Sequence, residues 1–245
     1  MQPQPAFSFA RALRRHVRDS VRQYGLPRTL LQLSEALLRF LRELTPGRRR
    51  ASYGDLDYDF DNLVDTTRAN VSFSTQLTAA LTGHQYFPTE PWLFAEMMQA
   101  LPIEFNQYTF IDIGSGKGRV LLMAAKYGFS SVVGVEFLPV LHRVAAENIA
   151  KFMHEHRFGV EIQNLCMDAR DYVFPVSPLV IYFFNPFPLP VLKGVLKNLR
   201  TSCELHRRPV HVMYRYPEFA AELEEEEWLS KIAETEQWIV YSNRH

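Results

Sequence analysis

Between residues 108 and 214 the apolar positions gather into short unbroken runs, separated by stretches whose apolar residues recur at helical spacing. Tyr108 to Ile113, Ser131 to Glu136, Val160 to Ala169, Leu179 to Phe184 and Pro209 to Tyr214 have the length and the β-branched and aromatic content of strands. Continuous apolarity of this kind marks strands covered on both faces. Leu138 to Phe152 and Leu189 to Leu199 read as amphipathic helices, and Leu229 to Tyr241 reads as two last strands with a turn near Glu236. Ahead of the first strand a helix is expected over Trp92 to Leu101, with Thr89 as its N-cap and Pro91 in its first turn. Alternation of strands and helices predicts an α/β fold, a parallel sheet with helices on both faces.

The first hundred residues follow other rules. Phe9, Leu13, Val17, Val21 and Tyr24 share one helical face, Gly25-Leu-Pro27 interrupts it, and a second apolar helix runs from about Thr29 to Leu44 before Pro46-Gly47. The chain of 245 residues has no net charge, yet residues 1–50 hold eleven arginines, no lysine and three acids, a net of +8 that leaves −8 for the rest. Three roles are open for this arm: a helical hairpin packed on the core with its arginines solvated, a contact with nucleic acid, an acidic protein or an anionic membrane surface, or a cleaved transit segment. Residues 51–104 follow, acidic at first (Asp55, Asp57, Asp59, Asp61), then Asp65-Thr66-Thr67, a helix-like Leu77 to Leu81, and Tyr86-Phe87-Pro88-Thr89. The expected division is therefore a basic helical extension over 1–50, a pre-core segment over 51–104 and a core over 105–245.

The most specific chemistry lies in Asp112-Ile-Gly114-Ser115-Gly116-Lys-Gly118-Arg119, between the first strand and a helix start. Three glycines at alternate positions let the backbone turn tightly and approach a ligand. A nicotinamide fingerprint needs a glycine where Arg119 stands, and an acid two residues before the first glycine is not part of it. Glu136 ends the second strand 24 positions after Asp112, where a carboxylate can accept two ribose hydroxyls. The third strand runs into Asp168-Ala169, and the fourth stops on Asn185-Pro186-Phe187. In this order the motifs resemble those of class I S-adenosylmethionine-dependent methyltransferases. The resemblance implies a Rossmann-like seven-strand sheet and S-adenosyl-L-methionine as cofactor, leaving as S-adenosyl-L-homocysteine. It implies that Asp112, Gly114, Ser115, Gly116 and Gly118 hold the methionine part, Glu136 the ribose, and Asp168 with Ala169 the adenine. Asn185 stands at the reacting end, in the cofactor shell or against the acceptor.

Over residues 84–190 the motif order is similar to that of seven-strand protein-lysine methyltransferases. In them the Tyr-x-Pro-Thr segment, here Tyr86 to Thr89, folds over the cofactor; Thr89 would touch it, and Tyr86 and Phe187 would line the amine channel beside Asn185. Asn185-Pro186-Phe187 also resembles the Asn-Pro-Pro-aromatic signature of enzymes acting on amide or adenine amino groups, but lacks the second proline. No residue stands out as an obligatory general base, which weighs against methylation of a poorly acidic hydroxyl. Three readings compete: methylation of a protein, with lysine favoured; methylation of nucleic acid or a small molecule, with the arginine arm on phosphates; and a scaffold that binds the cofactor and transfers nothing. No metal site is expected, because His154 and His156 have no third or fourth ligand nearby in sequence and fit an exposed helix end. Two cysteines without a CxxC pair suit a reducing, cytoplasmic setting. No transmembrane segment is expected either, since Leu30 to Leu44 includes Glu35, Arg39, Arg42 and Glu43, and the N-terminus lacks the layout of a secretory signal.

Overall fold

The computed structural model describes residues 8–43, 56–67, 86–156, 158–184 and 188–243. Its centre is a seven-strand sheet in the order β3-β2-β1-β4-β5-β7-β6, with β1 at Thr109–Ile113, β2 at Ser131–Glu136, β3 at Ile162–Cys166, β4 at Leu179–Phe184, β5 at Val210–Arg215, β6 at Leu229–Glu234 and β7 at Trp238–Asn243. This is the Rossmann-like seven-strand arrangement. The first five strands pair in parallel, but β7 runs antiparallel to both β5 and β6. The expected α/β sheet with helices on both faces is present, and the expected turn near Glu236 joins its last two strands. Only Thr235 to Gln237 separate β6 from β7, too few residues for a crossover helix, so the two close as a hairpin.

Side-chain alternation sorts each strand between two cores. Ile111, Ile113, Val133, Val135, Leu179, Ile181, Phe183, Val210, Val212 and Tyr214 meet α6 (Leu189–Leu205) on one face. Phe110, Val132, Val180, Tyr182 and Met213 meet α3 (Pro91–Gln99), α4 (Arg119–Ala125) and α5 (Pro139–Glu155) on the other. Each buried Leu, Ile, Val or Phe of this kind contributes roughly 1.5–3 kcal/mol by leaving water. The period of two puts Asp112, Gly134, Glu136, Tyr182, Phe184 and Arg215 on the second face, towards the carboxyl ends of β1, β2, β4 and β5.

The arm is helical over α1 (Phe9–Glu43), with Gly25 in a non-helical conformation and Pro27 just after it, so the expected break is present. Of its apolar face, Val17 is exposed and Val21 and Tyr24 are half-buried; the side chains of Phe9 and Leu13 lie outside the described set. α2 (Leu56–Asn62) falls within the acidic stretch, and α7 (Ala220–Glu224) precedes β6. The expected helix at Leu77 to Leu81 lies outside the described residues. Among those described, no helix is long and apolar enough to cross a membrane, and no three His, Cys, Asp or Glu side chains gather as a metal would require.

Candidate active site

The turn after β1 depends on its glycines. Gly114, Gly116 and Gly118 have φ of 88°, 55° and 87°, left-handed values that cost residues with a Cβ free energy. The Gly114 and Ser115 amides donate to the Val135 carbonyl at 2.8 and 3.1 Å, fastening the turn to β2, and the Gly118 amide donates to the Ser115 carbonyl at 2.8 Å before α4 starts. A Cβ on Gly116 would sit 2.3 Å from the Tyr86 ring, and one on Gly134 2.5 Å from Leu121 Cδ1 and 2.8 Å from Ser115 Oγ. Ser115 Oγ is buried with no hydrogen-bond partner among the described residues.

Two carboxylates lie beneath this turn. Glu136, at the end of β2, accepts from the Gly116 amide on Oε2 at 2.8 Å and from the Leu138 amide on Oε1 at 2.7 Å. Burial pushes its pKa from the usual 4.5 up to about 7, against the lowering pull of the backbone amides. The Asp112 carboxylate, 3% exposed, accepts no hydrogen bond among the described residues. Burial first, and then the neighbouring Glu136 charge, raise its pKa well above the carboxylate range. Two adjacent buried acids with no ion pair among the described residues are electrostatically incomplete. A left-handed cradle, an unpartnered Ser115 hydroxyl and this acid pair suit a cationic ligand with hydroxyls to donate, and S-adenosylmethionine, with its ammonium, sulfonium and ribose, is such a ligand.

Asp168 closes the third strand in another way. Its Oδ1 accepts the Arg170 amide at 3.0 Å and Arg170 Nε at 2.9 Å, and its Oδ2 accepts Arg170 Nη2 at 2.6 Å. Burial raises its pKa, but the Arg170 hydrogen bonds and charge, with a smaller contribution from Arg15, outweigh burial and leave it lowered. Ala169 begins the short 3-10 turn Ala169–Asp171 and is buried.

The pre-core segment reaches the glycine turn. Tyr86 lays its ring on Gly116 and donates its hydroxyl to the Thr66 carbonyl; burial raises its pKa, so it remains a phenol. Thr89 is not the N-cap of α3. Glu90 takes that place without a side-chain cap bond, and the Thr89 hydroxyl pairs with the Tyr182 hydroxyl at 2.7 Å instead. Phe87 faces Phe184, the last residue of β4, with centroids 6.5 Å apart. Arg215 lies 5.2 Å over the Phe184 ring and 3.6 Å from a Glu90 oxygen. Asn185, Pro186 and Phe187 lie outside the described residues.

Sequence reasoning missed the two cations inside the motif. Lys117 and Arg119 are almost wholly buried. Lys117 Nζ donates to Asp65 Oδ1 at 2.8 Å and to the Thr67 carbonyl at 2.7 Å. Arg119 donates through Nε to Thr66 Oγ1 at 2.6 Å and through Nη2 to Asp59 Oδ1 at 3.1 Å. Asp59 Oδ2 also accepts the Thr66 and Thr67 amides at 2.7 and 2.9 Å. The acidic run beginning at Asp55 and the Asp65-Thr66-Thr67 triplet held the signal, but their partners are 50 or more residues away in sequence.

A family model described as "Histone methylation protein DOT1" matches residues 75–177, less than half of the chain. No curated protein matches it in sequence. Among solved structures the chain is similar to the 23S rRNA methyltransferase ErmE, at 13% identity over 65% of this chain and 70% of that one, with a TM-score of 0.45. It is also similar to an RNA methyltransferase from Salinibacter ruber in complex with S-adenosyl-L-homocysteine, at 21% identity over 63% and 91% of the two chains, TM-score 0.37. The ribosomal protein L11 methylase from Lactobacillus delbrueckii subsp. bulgaricus aligns at 17% identity over 63% and 77%, TM-score 0.41.

Proposed function

We propose that this chain, a class I S-adenosylmethionine-dependent methyltransferase, transfers its methyl group to the side-chain amine of a protein lysine. The observation that carries the acceptor is the Phe87–Phe184 pair at the carboxyl end of β4, directly before Asn185, where open α/β sheets receive ligands. The matching family model, described as one of histone methylation, spans the second part of the pre-core segment and the motifs from Asp112 to Asp168 and supports a protein acceptor.

Each residue has a part in this reading. Asp112 receives the cofactor ammonium, with Gly114, Ser115, Gly116 and Gly118 shaping the cradle, and Ser115 Oγ offers its unused hydrogen bond. Glu136 releases the Gly116 amide and accepts the ribose hydroxyls. Asp168 and Ala169 bound the adenine, and Tyr86 and Thr89 close the cradle from the pre-core side. The bound cofactor supplies a methyl group already electrophilic on its sulfonium. The chain has to align a neutral amine behind it. Deprotonating a lysine of ordinary pKa at pH 7 costs roughly 4–5 kcal/mol, and aromatic walls that exclude water offset part of this by disfavouring the ammonium. Phe87 and Phe184 are those walls, and the resemblance assigns Phe187 to the same channel. The Asn185 side-chain oxygen or the Pro186 carbonyl accepts a hydrogen bond from the amine and orients it.

Asn185→Ala tests this assignment. We expect the dissociation constant for S-adenosylhomocysteine to stay within about threefold while methyl transfer into protein slows by at least about tenfold, the size of one lost hydrogen bond. Equal loss of both would put Asn185 in the cofactor shell rather than against the acceptor. A nucleic-acid acceptor is the second reading. Arg11, Arg14, Arg18 and Arg22 are exposed along one side of α1, a row of about 16 Å at 1.5 Å per residue, and guanidinium groups suit phosphates. Residues 1–50 would then grip the backbone, 51–104 cover the cofactor and 105–245 carry it. Cys166 and Cys203 are free and suit a reducing compartment, so a cytoplasmic location belongs to the same proposal.

A further inference from the structure

Among the described residues, ion pairs tie α1 to the core at the turn after Asp168. Asp19 Oδ2 accepts Arg170 Nη1 at 2.6 Å. One turn earlier in the same helix, Arg15 Nη1 donates to Asp171 Oδ1 at 2.6 Å and stands 3.9 Å from Asp168. Arg170 therefore spans two carboxylates, Asp19 from the arm and Asp168 from the core, and its side chain is 6% exposed. Its stem is held too: a Cβ on Gly194 of α6 would lie 2.9 Å from both Cγ and Cδ of Arg170. Asn198 Nδ2 donates to the Tyr172 carbonyl at 2.6 Å and fixes the far end of the same turn.

The acceptor capacity of Asp168 gives this frame a role. An ionised carboxylate offers about four lone-pair positions. Three Arg170 donors use them: the amide on Oδ1, Nε divided between Oδ1 at 2.9 Å and Oδ2 at 3.2 Å, and Nη2 on Oδ2, so one position on Oδ2 is open to a ligand only while Nε is held on Oδ1. We propose that the N-terminal arm is part of the adenine site: Asp19 holds Arg170 so that Arg170 keeps Asp168 oriented with one acceptor position towards the adenine 6-amino group. Asp19 and Arg170 are positioning residues that act through Asp168. The inference rests on the assignment of Asp168 to adenine made above. It gives the arm work in cofactor recognition that does not depend on which acceptor is methylated. Without Asp19 the outer half of the guanidinium loses its charge-assisted anchor, the stronger kind of hydrogen bond, and the fork is free to rotate across the Asp168 position that the adenine needs.

The test uses the full chain and two ligands, S-adenosylhomocysteine and S-inosylhomocysteine, which carries a carbonyl in place of the 6-amino group. A carboxylate accepts from the amine and repels the carbonyl, so the ratio of the two dissociation constants, measured by calorimetry, reads the Asp168 contact. Being a ratio on one variant, it does not depend on the folded fraction. Asp168→Asn should abolish the preference. Asp19→Asn should cut it by about three- to tenfold, the scale of one lost hydrogen bond, and Asp19→Glu should restore it. Gly194→Ala, which displaces the Arg170 stem from the opposite side, should cut it likewise. A preference lost in Asp168→Asn but kept in Asp19→Asn and Gly194→Ala would overturn the inference and reduce the arm to packing. A preference kept in Asp168→Asn would overturn the adenine assignment and the inference with it.

Discussion

At the scale of single residues, the function depends on groups placed where they are costly until a ligand arrives. Glu136 ionises at about 7 in the fold and at its usual 4.5 in the open chain. An acid whose pKa is raised on folding adds stability that is complete below its unfolded value and is lost as pH rises through its folded value. The ligand-free protein should therefore lose thermal stability between about pH 4.5 and 7, and the raised pKa of Asp112 acts in the same direction. Affinity for S-adenosylhomocysteine should rise across the same interval, because ribose hydroxyls donate to a carboxylate and not to its protonated form. Calorimetry from pH 5.5 to 8.5 checks both the rise and its removal in Glu136→Gln; a flat profile for the natural protein would contradict the role given to Glu136. Gly116→Ala is a sharper lesion. With φ at 55° and the Tyr86 ring 2.3 Å from the added carbon, cofactor binding should fall by more than about tenfold, since strain of this type costs of order 1–3 kcal/mol. The glycines and acids were legible because their spacing is local. Thr89 was read as a cap because it precedes Glu90-Pro91, whereas its hydroxyl goes to Tyr182, 93 residues on, a partner that local spacing does not reveal.

At the scale of elements, the sheet was the legible part and its attachments were not. Continuous apolar runs and amphipathic helices follow from covering a strand on both faces, and β2 falls where its apolar run predicts. The α6 helix runs six residues beyond the expected Leu199, to Leu205, through a polar stretch that periodicity gives no reason to include. At the antiparallel edge the turn near Glu236 marked the β6–β7 hairpin, but the pairing of β7 with β5 was not legible, since the period of two is the same for either direction. The 56–67 segment was legible only as acid-rich. It is held to the glycine turn by Asp59, Asp65 and Thr66 on Lys117 and Arg119. Breaking one partner of a buried pair leaves an uncompensated charge. Arg119→Met, which strands Asp59, should lower unfolding stability by about 3–5 kcal/mol and weaken cofactor binding through the loosened turn. Arg119→Met at natural stability in a denaturant titration would show that the pairing with Asp59 contributes little.

At the scale of the whole molecule, one face of one sheet collects the chemistry. Asp112 and Glu136 stand at the ends of β1 and β2, Phe184 and Arg215 at the ends of β4 and β5, and the segments before β1 fold over the turn between them. α1 lies against the turn after β3, at the carboxyl end of the same parallel strands, through Arg15 on Asp171 and Asp19 on Arg170. On the proposed assignment, a cofactor held at these ends turns its methyl group towards Phe87 and Phe184 and its base towards the arm. The proposed lysine acceptor rests on that assignment, and it is the part a sequence states least directly, because walls and channels are assembled from distant positions. The decisive measurement is methyl transfer from radiolabelled S-adenosylmethionine into a cell extract, with protease and nuclease digestion in parallel and acid hydrolysis of the labelled protein. Label released by protease and recovered as methylated lysine, and lost with Asp112→Asn, is the expected result. Label released by nuclease and absent from lysine would contradict the account and make the arginine row the grip on the acceptor.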